Sequence, residues 1–130
     1  MNNELYIICI DDEKIVLDSL NKQLARNFGN AYNYEFAESG EEAFEIIDEL
    51  LESETDVIFV IISDWLMPGM KGDELLTKAQ EKVSGVKTIL LTGHVDDKVI
   101  KDIESRTKNQ IKVVYKSWNE EKLIKLIKEN

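Results

Sequence analysis

Short apolar runs alternate with longer amphipathic stretches along the whole chain, and this alternation constrains the fold more than any other feature. "LYIICI" (5–10), "YNYEF" (32–36), "VIFVII" (57–62), "KTILL" (87–91) and "IKVVY" (111–115) read as strands. Between and after them lie helical patterns. "KIVLDSLNKQLARNF" (14–28) places Val16, Leu20 and Leu24 at i, i+4, i+8 and stops at Gly29. Ser39 with Glu42 three residues on forms a capping box for a helix over about 40–52. Further helices are expected over about 73–83, 96–105 and 119–129. The last turns Leu123, Ile124 and Ile127 inward and puts Glu120 and Glu121 at its positive end.

Repeated βα units joined by short loops imply a parallel sheet covered by helices on both faces. The first, third and fourth strands are nearly continuous apolar runs, as central strands are. "YNYEF" and "IKVVY" carry polar residues within the run, as edge strands do. An order with 2 and 5 at the edges and 1, 3 and 4 inside fits 2-1-3-4-5, the known order of the α/β flavodoxin-like (βα)5 three-layer sandwich, built as one domain over 1–130. In that order the chain reverses across the sheet between the first and third strands, and ligands bind in the crevice outside their carboxyl ends.

Composition narrows the function. A hydrophobic fraction of 43% with 32% charged residues is that of a folded domain, not a disordered chain. A formal charge of −10 opposes direct binding of nucleic acid or anionic membrane, and it suits divalent cations and basic protein surfaces. The single cysteine, Cys9, sits between Ile8 and Ile10 and reads as a core thiol, so no internal disulfide forms. No signal peptide or membrane-length apolar run is visible, and a cytoplasmic location is expected.

The polar residues at the strand ends carry the chemistry. The first strand ends in Asp11, Asp12 and Glu13, the third in Asp64, the fourth in Thr92, Gly93 and His94, the fifth in Lys116. Parallel strands bring all of these to one edge of the sheet. Taken singly, each has an ordinary explanation: a solvated loop acid or helix cap for Asp12 and Asp96, a surface lysine for Lys116, a loop residue for His94. Their joint placement is what points to a site. Clustered carboxylates raise one another's pKa and need compensation. Lys116 supplies one form of it; a divalent cation supplies another, with Mg²⁺ or Mn²⁺ suited to an all-oxygen set. A cation, a lysine and a hydroxyl converging on one aspartate suit phosphoryl transfer, with Asp64 as nucleophile and Thr92 and Lys116 contacting the phosphoryl oxygens.

The same residues resemble those of response-regulator receiver domains over essentially the whole chain: the acid pair in "CIDDE", "DWLMPGMKG" with D-x-x-M-P-x-x-x-G spacing, "LLTGH" and "VYKSW". The resemblance implies that Asp64 accepts a phosphoryl group from a histidine kinase or histidine phosphotransfer protein. It implies Mg²⁺ held by Asp12 and Asp64 directly, with the Leu66 main-chain carbonyl as a further ligand and Asp11 acting largely through water. It makes Leu66 and His94 positions that tune loss of the phosphoryl group, an apolar Leu66 hindering water. Output to an unknown partner or domain would pass through the face of the fourth helix, fifth strand and fifth helix, which can also mediate a homodimer.

Two departures from the family pattern stand out. Val113 occupies the switch position, three before the lysine, where Tyr or Phe is usual, which puts the threonine–aromatic coupling in question. Ser117 follows Lys116 where the family often has proline, leaving the geometry of that peptide open. Two rival readings accompany the main one. A receiver-like interaction module could signal without phosphorylation. An aspartate-nucleophile phosphatase of the haloacid-dehalogenase kind would need a second acid where Leu66 stands, and a cap domain. Turnover of a metabolite is not expected from these residues, which suit a stand-alone regulator and the N-terminal part of a longer protein equally.

Overall fold

The computed structural model describes residues 4–93, 96–108 and 110–129. Strands β1 (Glu4–Ile10), β2 (Asn33–Ala37), β3 (Asp56–Asp64), β4 (Lys87–Thr92) and β5 (Ile111–Tyr115) alternate with helices α1 (Lys14–Phe28), α2 (Gly40–Leu51), α3 (Gly72–Lys82), α4 (Asp97–Arg106) and α5 (Glu120–Lys128). All strand pairs are parallel, in the order β2-β1-β3-β4-β5. The polar runs are indeed the edges. The expected elements are all present, with ends that coincide, as in α1 and β5, or shift by one or two residues.

Helix starts follow from their capping residues. Ser39 Oγ accepts from the Glu42 N–H at 3.1 Å. Asp96 accepts from the Lys98 N–H at 2.9 Å, so its ordinary role as a cap is the one it has. Asn119 accepts from the Lys122 N–H at 3.1 Å. Each satisfies a donor that the first turn leaves open. Gly29 closes α1 at φ 55°, a left-handed conformation that costs glycine little.

Alternation along the central strands divides the apolar side chains between two layers. Ile8, Ile10, Ile61 and Leu90 pack with α2, α3 and α4 residues such as Ile47, Leu76 and Ile103. Ile7, Cys9, Val60, Ile62 and Leu91 pack with α1 and α5 through Leu20, Leu24, Leu123 and Ile127. Ile58 breaks the alternation, since it joins the same layer as Ile61. The cause is a register shift between Tyr6 and Ile7: Tyr6 pairs with Ile58 but Ile7 with Val60, so Phe59 is the extra residue. Phe59 stacks on Tyr32 with ring centroids 5.6 Å apart. From Val60 onward the ladder is regular up to Asp64, which pairs with Leu91 of β4.

Candidate functional site

The carboxyl ends of β1, β3, β4 and β5 converge on an open cleft of about 500 Å³ lined by Asp12, Glu13, Asp64, Leu66, Thr92, Gly93 and Lys116. Asp11 lies beneath it, completely buried. Asp64 and Thr92 are buried at the tips of their strands, whereas Asp12 and Glu13 are exposed. Backbone bonds fix these tips. The Asp11 N–H donates to Ala37 O at 3.1 Å, the Trp65 N–H to Leu91 O at 2.9 Å, and the Lys116 N–H to Thr92 O at 2.8 Å.

Lys116 is the hub. Its Nζ lies 3.2 Å from Asp64 Oδ1, 3.2 Å from Asp11 Oδ2 and 3.1 Å from Glu13 Oε1. Burial works against the ammonium charge, but the hydrogen bond to Glu13 and the charges of Asp64 and Asp11 outweigh it and hold its pKa above the usual lysine value. Burial, followed by the repulsion of Asp11, pushes the Asp64 carboxyl up to about 6 against the pull of Lys116. Asp11 is also raised, chiefly by burial, although the Glu13 N–H and Lys116 both favour its charged form. The Glu13 N–H reaches Asp11 Oδ1 at 2.8 Å. Asp11 Oδ2 has the lysine at ion-pair distance but makes no hydrogen bond.

That orphaned, buried oxygen tests the expectation of a cation. Carboxylate oxygens of Asp11, Asp12 and Glu13 lie within 4.8 Å of one another. An unsatisfied anionic oxygen among hard oxygen donors fits Mg²⁺ or Mn²⁺. The donor chemistry is consistent with the ion implied by the sequence; of the implied side-chain ligands Asp11 and Asp12 belong to this oxygen group, Asp64 does not, and Glu13 joins it instead.

The structure brings together Asp11, Asp12, Asp64, Leu66, Thr92 and Lys116, as the sequence reading expects. Leu66 stands at the rim with 54% of its surface exposed. Val113 is elsewhere, half-buried on β5 opposite Leu90 and lining a separate cleft with α4. His94 lies outside the described residues. The open question at Lys116–Ser117 is settled as a trans peptide, since no cis bond occurs among the described residues.

Several features escape the sequence reading. Glu13 appears there only as one acid of a strand-end run, yet it is a direct partner of Lys116. Gly72, one residue ahead of the helix expected over about 73–83, is the first residue of α3. Its N–H donates to Trp65 O at 2.6 Å, and a β-carbon on it would overlap the Asp64 carbonyl. The Ser63 hydroxyl donates to that same carbonyl at 2.9 Å. Trp65 adjoins Asp64 in sequence, but its ring is buried in the layer of α3 and α4. Its Nε1–H donates to Asp73 Oδ1 at 3.1 Å. Asp73, an acid in the first turn of α3, is itself buried. Its position three before Leu76, on the inward face, is the signal that could have revealed it.

Comparison with known proteins agrees with the geometry. No curated protein matches the chain. Solved structures do. The signal receiver domain of an HD domain-containing protein from Pseudomonas fluorescens is 25% identical, with 96% of this chain and 92% of that one covered and a TM-score of 0.77. A CheY-like response regulator receiver domain protein from Methanospirillum hungatei is 25% identical over 97% and 92%, with a TM-score of 0.76. At 17% identity, the fold also matches the CheX–CheY–BeF3–Mg complex from Borrelia burgdorferi, over 96% and 87%, with a TM-score of 0.76. The sequence pattern of the response regulator receiver domain matches residues 7–128. With that span covered, the order 2-1-3-4-5 in place and the acids gathered at the carboxyl edge, the chain belongs to the response regulator receiver domain family.

Proposed function

We propose that Asp64 accepts a phosphoryl group from a histidine kinase or histidine phosphotransfer protein, and that the protein thereby switches an output partner or domain. The observation that carries this reading is the position of Lys116, 3.2 Å from both Asp64 and Asp11 at the mouth of an open cleft. An Asp64 oxygen would attack phosphorus in line, the bond from phosphorus to the donor imidazole nitrogen would break, and an aspartyl phosphate would result. Lys116 is placed to pass from its carboxylate partners to a phosphoryl oxygen, and Thr92 stands at the adjacent strand end to donate its hydroxyl. Asp11, Asp12, Asp64 and the Leu66 carbonyl would hold Mg²⁺, which when bound would neutralise charge on the phosphoryl oxygens.

The Asp64 carboxyl, pushed up to about 6, is a poor nucleophile while protonated. Lys116 favours the ionised form, and a cation beside it would favour it further. Glu13 competes with the incoming group for Lys116. The protein would assist its own phosphorylation and dephosphorylation without turning over a metabolite. Leu66, at the position where a phosphatase of this chemistry needs its second acid, supports that distinction. The face formed by α4, β5 and α5, where Tyr115 is 42% exposed, is the proposed output surface and a surface for a homodimer.

Incubation with acetyl phosphate and Mg²⁺ followed by intact-mass measurement tests the reading. A single phosphoryl adduct is expected, lost on Asp64→Asn. An adduct that survives this change would remove Asp64 as acceptor. No adduct from acetyl phosphate or from a phosphorylated phosphotransfer protein would favour an interaction module that signals without phosphorylation.

A further inference from the structure

The two oxygens of Asp73 serve two different parts of the fold. Oδ1 accepts from Trp65 Nε1–H at 3.1 Å, and Oδ2 accepts from Arg106 at 2.9 Å. The Arg106 Nε–H goes to Asp102 Oδ2 at 2.9 Å. Trp65 is the residue after Asp64; Arg106 is the last residue of α4. A buried carboxylate is costly unless both oxygens are satisfied, so this pairing is not incidental to packing. The flat guanidinium fork reaches Asp73 and Asp102 at once, which a lysine would not reproduce.

The segment that Asp73 grips is held on every side. The Trp65 N–H is bound to Leu91 O and the Trp65 carbonyl to the Gly72 N–H. Gly72, next to Asp73, packs its α-carbon against the Asp64 carbonyl with no room for a methyl group. Any displacement of the Asp64 main chain therefore presses directly on the turn that carries Asp73. Ile103 of α4 belongs to the same apolar cluster as Trp65 and Met67, Val99 packs against that cluster, and Arg106 pairs with Asp73, so α4 joins this region through apolar packing and an ion pair. Close-packed contacts of this kind transmit small shifts.

We propose that Asp73 is a positioning residue that ties the segment after Asp64 to α4, with Arg106 as the far end of the tie, so that a change at Asp64 reaches α4 through Trp65. This rests on the reading of Asp64 as phosphoacceptor. The route needs no aromatic group at Val113.

The test uses the full ¹⁵N-labelled chain, with Mg²⁺ and beryllofluoride as the acyl-phosphate mimic. The Trp65 indole N–H is assigned with Trp118→Phe, and the backbone amides of α4 are followed with it. In the wild type, the Trp65 signal and the α4 amides are expected to shift together. In Arg106→Gln, amides beside Asp64 should shift as in the wild type, while the α4 shifts fall by more than half. Arg106→Lys should recover only part of them. Asp73→Asn, which keeps an acceptor for Trp65 but removes the charge facing Arg106, should behave like Arg106→Gln. Arg106 is half-exposed, so its variants should stay folded. Wild-type α4 shifts in Arg106→Gln would overturn the tie and leave the acceptor reading intact. No shift around Asp64 in the wild type would overturn both.

Discussion

The α-carbon of Gly72 packs against the main-chain carbonyl of Asp64, so the start of α3 and the tip of β3 occupy space that admits no side chain between them. Gly72→Ala places its methyl group on backbone atoms, which cannot swing aside as a flexible side chain can. We expect a loss of about 1–3 kcal/mol in urea unfolding, the range for overpacking a tight site. The Leu66 carbonyl lies in the loop that joins these two elements, so Mg²⁺ affinity should fall in parallel.

Removing the ammonium from the hub leaves buried acids facing one another. Lys116→Met is expected to destabilise the metal-free protein at pH 7 by about 1–3 kcal/mol, below the range for a fully buried pair because Lys116 keeps some solvent contact. The penalty should shrink toward pH 4, as Asp64 and Asp11 become neutral. Thermal unfolding of wild type and variant over that range checks both statements.

Asp64 also imposes a pH dependence on the metal-free protein. Its folded pKa of about 6 stands above that of an unfolded aspartate. Below about pH 4 both states are protonated, and the native state has its full advantage. Between about pH 4 and 6 the unfolded chain loses its proton first, so stability falls as pH rises, by on the order of 2–3 kcal/mol. Asp11, raised likewise, acts in the same direction. Asp64→Asn should flatten this slope and raise the melting temperature at pH 7. Saturating Mg²⁺ should flatten it too, since a ligand of the ionised native state offsets the loss.

Leu66 gives a kinetic prediction. Its exposed apolar side chain borders the cleft and offers an incoming water no hydrogen-bonding partner. Leu66→Asn offers that water a hydrogen-bonding partner. The aspartyl phosphate should decay severalfold faster, read as the half-life of the mass adduct after the donor is removed.

The elements of this fold were legible because their periods differ. Leu20 and Leu24 repeat on a helical face, while Ile61 and Ile62 turn to opposite faces of a sheet. Lys112 and Glu35, polar residues that a central strand would not carry, marked the two edges, and the known 2-1-3-4-5 pattern supplied the order of the strands between them. Asp64, Asp12, Thr92 and Lys116 could be gathered because parallel strands share one carboxyl edge. Other relationships lie beyond such rules. An acid in the first turn of a helix is stabilised by the helix dipole wherever it points, so Asp73 gave no sign of its partners. Among three consecutive acids, spacing does not tell which will meet Lys116, and Glu13 went unassigned. Trp65 could face either side of the loop until packing against α3 and α4 fixed it.

The extra residue at Phe59 has a consequence for tolerance to change. It resets the phase of β3 once, well before the cleft, and the ladder from Val60 to Asp64 takes its alignment from β4 and the upper half of β1. The first residues of β3 are thereby one step out of register with its tip. Gain or loss of one residue around 56–59 could be absorbed locally, as a slipping clutch absorbs a jolt, while the same change between Val60 and Asp64 would turn the carboxylate to the wrong face.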